Sequence, residues 1–84
     1  MIDWISVNTL LPTTYEDKDE DGIIHKRSYP VLVWDGSDDE PIAIGVYEDG
    51  KWYAFGIAQY GITHWATLYD PNGNIIKGDF RGGW

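Results

Sequence analysis

At 84 residues the chain is sized for one domain, 1–84, and a domain this short buries only about 60% of the surface that its unfolded chain exposes. The absence of cysteine excludes a disulfide scaffold and every thiolate zinc site, and it fits a reducing cytoplasm as the expected location. The formal charge of −8 disfavours direct binding of nucleic acid and of anionic lipid, and leaves a protein partner, a basic one, as the expected company.

That charge is uneven. Residues 1–42 carry ten acids against three bases, whereas residues 43–84 carry four against three. The start, Met1-Ile2-Asp3-Trp4, has no basic region followed by an apolar run, and no stretch approaches the roughly 20 apolar residues of a membrane span. The expectation is a protein neither exported by a standard signal nor inserted in a membrane. With five Trp, six Tyr and two Phe, several aromatic side chains must build the core.

Thr13 to Ser28 is a long acidic stretch. Thr13-x-x-Glu16 fits a capping box, but no apolar stripe follows, so the segment reads as a loop or as a hairpin turning at Asp21-Gly22 into a strand from Ile23. Tyr29 to Asp35 is rich in β-branched and aromatic residues and is predicted to be a central strand, with Val31 and Val33 on one face and Leu32 and Trp34 on the other. Pro30 is tolerable at its start.

After a polar loop, Ile42 to Glu48 is a second strand, whose Gly45 marks a bulge or a close contact. Asp49-Gly50 then turns into Lys51 to Phe55, a hairpin that positive φ at both turn residues permits. Ile62 to Leu68 is predicted as a further strand, and Asp70-Pro71-Asn72-Gly73 as a turn into a short strand near Asn74 to Lys77. Gly78 to Trp84, with three glycines, is expected to be a partly mobile tail. No ten-residue segment has a period of 3.6, so the predicted class is mainly β (β or α+β): a small antiparallel sheet of about four to six strands with hairpins and at most short helical turns.

Four blocks in order, Trp4-Ile5-Ser6-Val7 with Leu11-Pro12, Val31-Leu32-Val33, Gly50-Lys51-Trp52-Tyr53 and Ile62-Thr63-His64-Trp65, make the chain resemble, over residues 4–68, the domain-of-unknown-function family numbered 551. That family consists of small proteins encoded largely by phages and prophages. The resemblance implies such a genomic context and a shared fold, with Trp4, Trp52, His64 and Trp65 as motif residues of structural role. Residues 13–28 depart from it as an acidic insertion, and Ala66-Thr67-Leu68-Tyr69 replaces the Met-Pro-Leu-Pro ending typical of the family.

Candidate chemistry is sparse. Asp17-x-Asp19-x-Asp21-Gly22-x-Ile24 matches the start of an EF-hand loop, which would use Asp17, Asp19, Asp21 and the carbonyl of Ile23 for weak Ca²⁺ binding. Ser28 stands where the bidentate Glu belongs, so a solvated acidic turn is the ordinary reading. His64 and His25 accompany no legible nucleophile and base; a hydrogen-bonded structural role is expected for His64, with no catalysis and no cofactor. Trp4, Trp34, Trp52 and Trp65 are assigned to the core, and Tyr15, Tyr60, Tyr69 and Trp84 to contacts.

Two acidic clusters remain: Asp17, Asp19, Glu20 and Asp21, and Asp35, Asp38, Asp39 and Glu40. A β-topology could bring both to one edge. The leading expectation is a non-catalytic protein-interaction module; the alternative is an acidic nucleic-acid mimic that occupies a basic host protein. Pairing of a sheet edge across a two-fold would give a homodimer, which the sequence leaves open.

Overall fold

The computed structural model describes residues 2–77, so the glycine-rich end and its Trp84 lie outside the described residues. All of its regular structure is strand: β1 (Ile5–Ser6), β2 (Thr14–Lys18), β3 (Ile24–Ser28), β4 (Val31–Trp34), β5 (Ile42–Glu48), β6 (Lys51–Ala54), β7 (Ile57–Gln59) and β8 (His64–Thr67). Every pairing is antiparallel, in the order β1-β8-β4-β5-β3-β2, with β6 on β5 and β7 on β6. The mainly β, antiparallel class expected from alternation is thus the class observed. Among the described residues no helix is long and apolar enough to cross a membrane.

Three segments add strands that alternation did not mark, the first of them β1. Residues 14–18 and 24–28 form a five-rung hairpin, so the loop reading of the acidic stretch gives way to the hairpin reading, and Thr13-x-x-Glu16 runs into β2 and caps no helix. Strand β7 follows β6 after the two-residue turn Phe55-Gly56, both at positive φ. In the other direction, the expected strand near Asn74 to Lys77 is reduced to a single bridge, Tyr69 to Ile75, beyond the Asp70–Gly73 turn.

Strands β3 and β4 behave as one long, bent strand along a single edge of β5. Arg27 pairs with Glu48 and Val31 with Gly45, which sets four steps of one chain against three of the other, so one extra residue bulges at Tyr29-Pro30. Pro30 has no N–H for the ladder. The buried Ser28 mends the break: its hydroxyl accepts the Tyr47 N–H at 2.8 Å and donates to the Tyr29 carbonyl at 2.9 Å. Gly45 is the close contact expected of it, because a Cβ there would lie 2.7 Å from the carbonyl oxygen of Tyr53.

The register sorts side chains onto two faces. On the first, Val31, Val33, Trp52 and Trp65 form the buried core, with Ile5, Val7, Ala43, Tyr47 and Ile62 packed against it. The indole N–H of Trp65 donates to the Leu10 carbonyl at 2.8 Å and so holds the N-terminal segment over that core. The second face carries Trp34 opposite both His64 and Ile42 at one end, and Arg27 opposite Glu48 at the other.

Candidate functional site

At one end of the second face, charge is gathered and internally paired, two cations against four carboxylates. His25 and Arg27 alternate along β3 and point the same way. Arg27, only 2% exposed, donates from Nε to Glu48 Oε1 at 2.6 Å and from Nη1 to Asp17 Oδ2 at 2.8 Å. His25 faces Asp49 Oδ2 with Nδ1 at 2.7 Å and Asp19 Oδ2 with Nε2 at 2.8 Å. Ionised carboxylates only accept, so a ring that donates to both is a protonated imidazolium.

The electrostatics agree with that assignment. Hydrogen bonds to Asp49 and then to Asp19 raise the His25 pKa above the usual imidazole range. Asp49 is held low by the Lys26 N–H and then by His25, and Asp19 by His25 and then by the Ile23 N–H. Asp49 also donates its own N–H to the Lys26 carbonyl at 2.9 Å, which staples the β5–β6 turn to β3.

The calcium-like pattern resolves into turn chemistry. Asp19 Oδ1 accepts the N–H groups of Asp21 and Ile23, each at 2.9 Å, and Gly22 takes the left-handed conformation with φ 81°. Asp70 does the same for Asn72 and Asn74, with Gly73 at φ 84°. The two loops are one three-residue hairpin connection written twice, each preceded by an Asp and ending in a glycine in the left-handed conformation. Asp17 is turned to Arg27, Asp19 to the turn and to His25, and no helices flank the loop, so the structure does not bring Asp17, Asp19, Asp21 and Ile23 together as a calcium cage. His25, Glu48 and Asp49 do present donor atoms within 4.8 Å of one another, but they are engaged with each other and with Arg27.

The opposite end of the same face is aromatic and unneutralised. Trp4 and Trp34, expected in the core, are instead half-exposed; their rings meet at 5.9 Å with planes 57° apart, and with His64 they line a cleft of about 230 Å³. Sequence reasoning missed this because a four-residue strand with two apolar faces does not show which face is covered. His64 Nδ1 lies 2.9 Å from the Thr63 hydroxyl. Beside the cleft, Asp35, Asp38, Asp39 and Glu40 occupy the exposed β4–β5 loop, and none of them is ion-paired among the described residues. The Ser37 N–H, at 2.9 Å, holds the Asp35 carboxyl below the usual carboxylate range.

The two acidic clusters are therefore not on one edge. One sits at the tip of the β2–β3 hairpin, beside the end of β5, and the other at the start of β5; seven residues of strand separate them by about 20 Å. Of the aromatic contact candidates, Tyr15 is half-buried and stacked on Tyr29 at 4.7 Å, whereas Tyr60 is 87% exposed and Tyr69 is also exposed. Of the motif residues, Trp52 and Trp65 are buried in the core.

Comparison with known proteins finds no matching family model, no matching curated protein and no matching solved structure.

Proposed function

We propose that the chain is a non-catalytic protein-interaction module that binds a basic partner through the β4–β5 end of its sheet. The observation that supports this reading is the exposed loop 35–40, with four acids and no neutralising side chain among the described residues, next to half-exposed tryptophans. Charge of this kind steers an oppositely charged partner and speeds encounter, while a neighbouring aromatic surface supplies area to bury. Its resemblance to the phage and prophage family extends the proposal to a setting, the cytoplasm of a bacterial host. An acidic nucleic-acid mimic, the alternative reading, has less support, since the two clusters stand about 20 Å apart along β5.

Affinity capture from bacterial lysate at low and at high salt tests the proposal, run in parallel with the Asp38→Asn, Asp39→Asn, Glu40→Gln variant. A basic protein retained at low salt, released at high salt and lost by the variant is the expected outcome. A partner held equally by the variant, or no partner under either condition, would overturn it.

A further inference from the structure

The interaction reading leaves open what chemistry the partner brings to the cleft, and the cleft itself constrains the answer. Its walls are the indoles of Trp4 and Trp34 with the ring of His64, so it offers aromatic faces and few polar partners. Indole faces carry negative quadrupole potential and attract cations that shed water readily. The elements that build the cleft reinforce that sign: the N-terminal segment 2–12, β4, the loop 35–41 and β8 contain no Lys or Arg, while the loop contributes Asp35, Asp38, Asp39 and Glu40.

Asp35 follows Trp34 directly, and its N–H donates to the Pro41 carbonyl at 3.0 Å, which closes the loop back beside the strand that carries the indole. The other end of this face differs, since there Arg27 and His25 engage Asp17, Asp19, Glu48 and Asp49, which leaves Glu20 and Asp21 of that cluster outside any ion pair among the described residues. At the tryptophan end, an arriving cation finds unpaired carboxylates beside half-exposed indoles.

We propose that the Trp4–Trp34–His64 cleft is a binding site for the cationic side chain of an arginine or lysine presented by the partner protein, gripped by the indole faces and drawn in by the 35–40 loop. This rests on the interaction reading above for the source of the side chain, though not for the chemistry of the cleft. Guanidinium is the better fit of the two, being planar, weakly hydrated and able to stack on an indole.

The test is an NMR titration of the full chain, ¹⁵N-labelled, with the peptide Gly-Arg-Gly and with the same peptide carrying citrulline, a neutral isostere of arginine. The expected result is that the arginine peptide moves the indole N–H signals of Trp4 and Trp34, that citrulline binds about tenfold more weakly, and that the Asp38→Asn, Asp39→Asn, Glu40→Gln variant loses about threefold or more. That variant changes only exposed loop positions, so its fold, checked by circular dichroism, is expected to survive where Trp34→Leu fails. Equal binding of the citrulline peptide, or shifts confined to other indoles, would overturn the inference. A basic partner captured as strongly by Trp4→Leu as by the native chain would sink the cleft and leave the interaction reading standing. Arginine selectivity at the cleft with no protein captured would do the reverse.

Discussion

His25 ties two turns together only while it is protonated. Its pKa is raised in the fold, so its stabilisation is present in full below the ordinary imidazole value of about 6.5 and is lost as the pH rises through the raised value. Asp19 and Asp49 have lowered pKa values; their contribution is present above the ordinary value of about 3.9 and is lost as the pH falls through their lowered values. Between those limits the hairpin tip is held most firmly to the β5–β6 turn. Thermal melts from pH 5 to about 8.5 are expected to show the native chain losing stability relative to His25→Gln as His25 deprotonates. Parallel curves for the two would remove the imidazolium from the account.

At the scale of elements, the connections decide the sheet. The β3–β4 bulge depends on one hydroxyl, because Ser28 Oγ is the acceptor that the Tyr47 N–H finds where the register shifts between Arg27–Glu48 and Val31–Gly45. Ser28→Ala is expected to cost about 1–3 kcal/mol in urea unfolding, the range for a buried donor left unsatisfied, and Ser28→Thr to recover part of it. The β6–β7 turn carries a different tension: Phe55 adopts φ 57° on an exposed side chain, where an L-residue other than Asn, Asp or Gly is strained. Phe55→Asn would create Asn-Gly, the preferred pair for two residues at positive φ, and is expected to raise stability by about 0.5–1 kcal/mol in the same assay. A loss on this substitution would mean that the ring is doing packing work that its exposure does not suggest.

Across the whole molecule, stability should follow the number of paired edges. Strand β4 is laddered on both sides over all four residues, to β5 and to β8, whereas β7 has only β6 and β1 spans two residues. Hydrogen exchange is therefore expected to be slowest at Val31–Trp34 and to begin at β7 and β1. Uniform protection across the strands would contradict this hierarchy. The charge follows the same long axis of β5: one end internally paired through Arg27 and His25, the other exposing four acids beside two indoles. That second end offers a partner unpaired charge beside aromatic area.

Much of the local structure was legible in the amino-acid order, and for physical reasons that act over a few residues. Alternation in Val31–Trp34 and Ile42–Glu48 and the Asp49-Gly50 turn were readable because β-branched side chains and positive φ are local preferences. The β2–β3 turn was readable too, from Asp21-Gly22 ahead of Ile23, although its acids invite a calcium reading. Phe55-Gly56 was not, since phenylalanine has no preference for the left-handed region and takes it only where the flanking pairs Ala54–Ile57 and Tyr53–Ala58 require it. Nothing local says which acids are free. Sequence alone determined the class of fold, the excess of negative charge and most of the turns; tertiary pairing decided that Asp17, Asp19, Glu48 and Asp49 are consumed by Arg27 and His25, that the clusters stand at opposite ends of β5, and that Trp4 and Trp34 meet beside the unneutralised loop. Those outcomes depend on which strands become neighbours, and the strand neighbours that bring 4 to 34 or 25 to 49 are chosen by the burial of the whole sheet.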